Sequence, residues 1–218
     1  MPYIKPDDGV SSLTSPSPED IDKLAESSPK SLRVWDYKLD TLHPLAPLRG
    51  LKALWFINLS HLSSLSGLET LASLTSLILS TPPTWDGRGK YVEVESYAPI
   101  GQLKELETLV ITGVRPADGS LDPLGSLSSL KSLELAHVPD FTVEQLARLA
   151  ARLPHVEGRA LKPYSIIEGV GICKRCRGQQ ALLNGARKRS KKWVCPECDR
   201  ATLAAHVAEW NRYQATAR

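Results

Sequence analysis

From residue 42 to residue 57 an aliphatic side chain stands at every third position: Leu42, Leu45, Leu48, Leu51, Leu54 and Ile57. The beat restarts as Leu68, Leu71, Leu74, Leu77 and Leu79, as Ile100, Leu103, Leu106, Leu109 and Ile111, and as Leu124, Leu127, Leu130, Leu133 and Leu135. Each restart closes on two apolar residues spaced by two, which suits a short strand whose alternate side chains share a face. The spacing of three before that pair suits a tight 3-10 piece with one inward face. An amphipathic helix also accepts leucines at i and i+3, but it explains neither the restarts nor the paired endings. One such coil cannot bury its own leucines, so successive coils must stack into a continuous core.

Aligned on the pattern L-x-x-L-x-L, the first complete coil reads Leu48, Leu51, Leu54, Ile57, Leu59. Degenerate copies flank the four complete ones, Leu32, Trp35, Tyr37 before them and Leu153, Val156, Gly158 after. These residues resemble the leucine-rich repeat family, and the short units with a leading leucine triplet are most similar to its short-repeat bacterial and SDS22-like members. The resemblance covers roughly residues 30–158. It implies an α/β solenoid of about six coils, with a parallel concave sheet and helical or 3-10 segments on the convex side.

The remaining chain reads as ends and one insertion. Residues 1–29 form a lead-in rich in Ser, Pro and Asp, followed by a capping helix that Ser17, Pro18, Glu19 and Asp20 start and in which Ile21, Leu24 and Ala25 share a face. Such a helix covers the open end of the first coil. The solenoid occupies 30–160 and ends on a helix from Asp140 or Thr142 to about Arg152, with Val143, Leu146, Leu149 and Ala150 inward. One coil carries extra residues within 80–99, holding Trp85, Asp86-Gly87, Tyr91 and the alternation Val92, Glu93, Val94, Glu95. This suggests a small projecting hairpin, either a tolerated surface insertion or a partner-contact loop with Trp85 as its anchor.

With the coils aligned in this way, the concave side carries Phe56, Ile78 and Val110, bordered by Asp36, Glu134 and Glu157. An apolar patch of this kind marks a protein contact, although singly scattered surface hydrophobes are also ordinary.

All four cysteines fall near the C-terminus, as Cys173-Lys-Arg-Cys176 and Cys195-Pro-Glu-Cys198. Two C-x-x-C pairs at this separation give four thiolates that a folded-back hairpin delivers to one tetrahedral zinc ion, leaving no open coordination position. The expected zinc is therefore structural. Two disulfides, a redox pair or an iron centre are the alternatives, and the first needs an oxidising compartment. His206 reads as a helix residue rather than a ligand. Gly178 and Pro196 resemble the turns of zinc ribbon domains, and that resemblance covers about residues 170–200 of a C-terminal domain at 161–218. Asn184-Gly185 signals the hairpin turn, and Asp199 starts a terminal helix with Leu203, Val207, Trp210 and Gln214 on one stripe.

Charge divides along the same line. Residues 1–158 hold 14 Lys or Arg against 20 Asp or Glu, whereas residues 159–218 hold 13 against 4. The run Arg187, Lys188, Arg189, Lys191, Lys192 beside Trp193 suits a phosphate backbone, an acidic protein, or mere solubility.

No phosphate-cradling glycine loop and no nucleophile elbow occurs in the sequence, and His43, His61, His137 and His155 have no evident partner residue. The chain is accordingly expected not to be an enzyme and not to act on a small-molecule substrate. With no apolar run of membrane-spanning length and no leader signal, it is expected to be cytoplasmic. The leading expectation is a bacterial-type protein-recognition module whose partner is a protein, with immunity against a toxin as a specialised form. The alternative is a nucleic-acid binder acting through the basic ribbon.

Overall fold

A computed structural model describes residues 9–81, 91–136, 141–186 and 192–217. The chain divides into two units, residues 1–132 with 136–138 and residues 133–135 with 139–218. The helix at 143–152, grouped with the solenoid in the sequence, thus shares a unit with the C-terminal segment.

In the first unit, strand β1 (Val10–Thr14) precedes helix α1 (Pro18–Glu26), followed by strands β2 (Ser31–Trp35), β3 (Ala53–Ile57), β4 (Ser76–Ser80), β5 (Val92–Val94), β6 (Thr108–Thr112) and β7 (Val114–Pro116). Strand β8 (Ser132–Ala136) completes a six-stranded sheet in the order β1-β2-β3-β4-β6-β8. The strands from β1 to β6 pair parallel. Between them run 3-10 segments at His43–Leu48, Leu68–Thr70, Ile100–Gln102 and Asp122–Ser126. This is an α/β leucine-rich repeat solenoid.

The register explains the core. Leu32, Leu54, Leu77 and Leu109 stand opposite one another across β2, β3, β4 and β6, and Val34, Phe56, Leu79 and Ile111 form a second column. All eight are 0 % exposed, so each side chain loses its water by touching the equivalent residue of the next coil. The 3-10 leucines Leu45, Leu48, Leu68, Leu71, Leu103, Leu124 and Leu127 close the same core from the other side.

This register corrects the sequence alignment at two coils. Phe56 is not on the outer face: it is fully buried, and its ring meets Tyr37 edge-on at 5.1 Å. In this coil the strand pair is Leu54 and Phe56 rather than Ile57 and Leu59. The first coil shifts the same way, burying Leu32 and Val34 and turning Trp35 outward. Because the step is three residues, the shift exchanges inward and outward positions along the whole strand.

Two further segments differ from expectation. Part of the lead-in is a strand, β1, which pairs Val10–Thr14 with Ser31–Trp35 and extends the sheet by one coil. The described part of the 80–99 insertion is not a hairpin folded on itself, because β5 pairs parallel with β7. Burial decides this: Val92 and Val94 are inside, as is Tyr97, whose hydroxyl donates to the Val114 carbonyl at 2.8 Å. Trp85 lies outside the described residues. At the last degenerate copy, Leu153 and Val156 are buried, and Glu157 makes only a bridge at which its carbonyl accepts the Leu133 N–H at 2.8 Å.

Helix α1 begins as its sequence prescribes. Ser17 and Asp20 form a reciprocal capping box with Pro18 in the first turn, and Ile21 is buried. After β1, β2, β3 and β6 the chain turns sharply, and Ser15, Asp36, Asn58 and Gly113 have positive φ there. Their N–H groups donate to the next coil's last strand carbonyl, Ser15 to Trp35, Asp36 to Ile57, Asn58 to Ser80 and Gly113 to Ala136. Ser15 and Asn58 also donate to the Asp36 carboxylate at 3.0 and 2.8 Å. Lys38, 3.2 Å away, together with Ser15, holds that carboxyl below the usual range.

In the second unit, helix α2 (Val143–Arg152) opens with a Thr142–Gln145 capping box. It packs on helix α3 (Arg200–Thr216), whose Trp210 is buried. Strands β9 (Tyr164–Ile166), β10 (Ala181–Leu183) and β11 (Trp193–Val194) form an antiparallel sheet ordered β11-β10-β9. Among the described residues no helix is long and apolar enough to cross a membrane.

These contacts make the inward and outward positions of one strand respond differently to truncation. Leu77→Ala is expected to cost about 2–5 kcal/mol, and Ile78→Ala on the other face about 1 kcal/mol or less, as read by urea unfolding. Gly113→Ala should cost more than its size suggests, since φ is +67° and an added Cβ would sit 2.4 Å from the Thr81 carbonyl oxygen.

Candidate functional sites: a four-cysteine centre and an open sheet face

Cys173 and Cys176 sit on a turn that leaves the bridge between Ile172 and Gln179, and Cys195 and Cys198 lie between β11 and α3. Each pair is wrapped by backbone hydrogen bonds. Cys173 N–H donates to Gly178 at 2.8 Å, Arg177 N–H returns to Cys173 at 2.9 Å, and Asp199 N–H donates to Cys195 at 2.8 Å. Arg177 adopts φ +63° to make the first turn, and a Cβ on Gly178 would lie 3.3 Å from the Cys176 sulfur.

The two turns bring all four Sγ atoms within 4.8 Å of one another. Cys173 and Cys198 are 3.9 Å apart and Cys176 and Cys195 3.4 Å. A tetrahedral ion with sulfur bonds of about 2.3 Å requires sulfurs separated by about 3.8 Å, so the spacing suits one metal ion. None of the four is in a disulfide. Backbone N–H groups of Cys176 and Arg175 draw the Cys173 thiol down to about 6, whereas the neighbouring Cys176 and burial push Cys198 up to about 12. Four adjacent sulfurs resist ionising together unless a cation joins them.

Asp199 braces the site. Its Oδ2 accepts the Cys195 N–H at 2.9 Å and its Oδ1 accepts Arg175 at 2.5 Å, which raises the Arg175 pKa. Read from sequence only as a helix start, Asp199 thus ties both cysteine turns together. His206 is no ligand: it is buried on α3 with Nε2 2.8 Å from the Pro163 carbonyl oxygen.

The basic run lies mostly outside the described residues, with Arg187, Lys188, Arg189 and Lys191 among those not described. Lys192 is exposed, and Trp193 is half-buried on β11 opposite Leu182.

On the solenoid, the outward positions follow from the same register that buries the leucines. Arg33, Trp55, Ile78 and Val110 form a row across β2, β3, β4 and β6, and Trp35, Ile57, Ser80 and Thr112 form the next. Trp35 is 42 % exposed; Ile57, Ile78 and Val110 are half-buried. The structure therefore brings Ile78 and Val110 together as the sequence reading did, and replaces Phe56 with Trp55 and Trp35. Asp36 stands not on the strand but in the turn after it. Glu134, half-buried on β8, pairs with Arg159, and Glu157 is exposed. The three-residue shift turns Trp35 inward in the sequence alignment and gives Trp55 no outward place, which hides both.

No protein-family model matches the chain, and no curated protein matches it. Among solved structures it is similar to an internalin C2 of Listeria monocytogenes, with 18 % identity and a TM-score of 0.41, over 59 % of this chain and 51 % of that one. It is also similar to an internalin, inlF, of the same organism, with 15 % identity and a TM-score of 0.30, over 66 % of this chain and 49 % of that one. The chain spans about half the length of these structures.

Asp199→Asn is expected to weaken metal affinity by about 10- to 100-fold, as removal of groups that orient ligands does. Competition with a chromophoric chelator measures it, and unchanged affinity would remove the bracing role.

Proposed function

We propose that this chain is a non-enzymatic recognition protein that captures another protein on the outward face of its leucine-rich repeat sheet, while a zinc ribbon steadied by one structural zinc ion forms its C-terminal part. The observation that carries this reading is the outward pair of rows, which gathers Trp35, Trp55, Ile57, Ile78 and Val110 on adjacent strands. Rigid strands hold these side chains at fixed spacing, so little order is lost on binding. Tryptophan and arginine are the residues that most often dominate protein interfaces.

A closed tetrahedral set of four thiolates is the usual ligand set of structural zinc, an ion with no geometric demand of its own. With all positions taken by sulfur, it has no vacancy for substrate, and its role is to fold the ribbon. The narrower form of the proposal is an immunity protein whose captured partner is a toxin; co-expression with the partner would then relieve its toxicity.

Trp35→Ala is expected to weaken capture of the protein partner about 30-fold, as loss of an interface tryptophan typically does, and Ile78→Asp should abolish it. Glu105→Ala, in the exposed turn before β6, should leave it unchanged. Affinity indifferent to both Trp35 and Ile78 would overturn the reading. For the metal, elemental analysis should find about one zinc per chain. Chelation should strip hydrogen-exchange protection from β9, β10 and β11 while β2, β3, β4 and β6 stay protected.

A further inference from the structure

We infer that Arg33, stacked on Trp55, is a receptor for a carboxylate on the captured protein, so that the sheet face selects an acidic side chain set among apolar ones. The inference rests on the reading of that face as a recognition surface and adds the chemistry of what it recognises.

Arg33 stands directly opposite Trp55 across β2 and β3, with its guanidinium carbon 4.9 Å from the indole centroid. Stacking fixes the plane of the guanidinium but uses none of its N–H donors, which point outward from the plane's edge. Among the described residues Arg33 has no hydrogen bond and no ion pair, in contrast to Arg115, Arg148 and Arg159, each of which meets a carboxylate. Nearby Asp36 does not answer it, being engaged by Ser15, Asn58 and Lys38.

A second donor beside it is also unanswered. Trp55 is 7 % exposed, and its indole Nε1 is buried with no acceptor. That nitrogen is closed off from solvent, so an incoming acceptor meets the Arg33 donors alone, and Trp55 contributes the fixed indole face over which the guanidinium lies. A half-buried guanidinium gains more from a carboxylate than one free in water, because less solvent screens the pair.

The surroundings favour a protein over a phosphate chain. Among the outward residues of β1, β2, β3, β4 and β6 Arg33 alone carries a charge, and Glu134 on β8 is taken up by Arg159. Nucleic acids are held by many cations along the backbone. One cation flanked by tryptophan, isoleucine and valine fits one acidic side chain with apolar neighbours.

The test pans a random peptide display library on the full chain and on its Arg33→Glu variant, each checked for folding by circular dichroism. The wild type should enrich peptides with Asp or Glu beside Leu, Ile or Phe. The best peptide should lose affinity about tenfold or more when its acid becomes the amide, and equally on Arg33→Glu, which should itself favour Lys or Arg. Peptides that weaken on Trp35→Ala but tolerate both Arg33→Glu and the amide would overturn the carboxylate receptor and leave the recognition face standing. Peptides indifferent to Trp35→Ala and Arg33→Glu alike, or no enrichment above blank support, would overturn both. A single-stranded oligonucleotide that binds more tightly than any peptide, and is lost on Arg33→Glu, would assign the anion to phosphate and overturn the protein reading.

Discussion

The solenoid depends on one constraint, the in-register parallel pairing that sets each coil's two strand residues against the same two residues of the next. Leu77 and Leu79 are dry only because Leu54 and Phe56 lie on one side and Leu109 and Ile111 on the other. No coil has an interior of its own. Alternation along the strand then fixes the opposite face: once Leu54 and Phe56 are inside, Trp55 must be outside. The two outward rows are thus a by-product of core burial, positioned by residues that are themselves buried.

The turn after each strand serves this register. Ser15, Asp36, Asn58 and Gly113 reach the same left-handed bend by different means, three with polar side chains that hydrogen-bond one another from coil to coil and one with no side chain at all. Gly113 has no choice, because the Thr81 carbonyl occupies the space a Cβ would need. Since each bend hands its N–H to the neighbouring coil, the spacing of strands is held independently of what lies between them. The long connection between β4 and β6 shows this: their five residue pairs remain in register despite the added residues, in keeping with the slow growth of closure entropy with loop length.

Much of this was legible because burial leaves a periodic trace. The leucine spacing of three gave the repeat, the paired ending gave the strands, the resemblance to leucine-rich repeats supplied the parallel sheet, and Ser17 to Asp20 gave the first helix. The same spacing hid the frame in one place. From Leu42 to Ile57 the aliphatic beat runs on without a break, so L-x-x-L-x-L fits from Leu51 as well as from Leu54, and only the more even step to Leu74 favours Leu51. Contact with Leu77 and Leu79, a non-local fact, makes the choice and puts Phe56 inside. β1 escaped for a related reason: Val10-Ser-Ser-Leu-Thr has too few apolar residues to stand out, and it is a strand because Ser31–Trp35 offers an edge to pair with. The cysteine centre was read more completely, since its four ligands come from two local turns. Its brace was not, because Asp199 earns its role through Arg175, distant in sequence.

The two parts of the chain solve the burial problem by opposite means. The solenoid repeats a small apolar unit until the sum is large. The segment around β9, β10 and β11 has little to repeat: its buried cluster is Ala181, Leu183 and Val194, with Tyr164, Ala186 and Leu203 partly covered against it. So small a core does not hold a chain segment in place unaided. Four thiolates close together, two of them buried, would add repulsion if ionised without a cation and add a strong cross-link with one. A metal ion held by the four would thus supply the share of cohesion that so small a core lacks, rather than being an accessory to it.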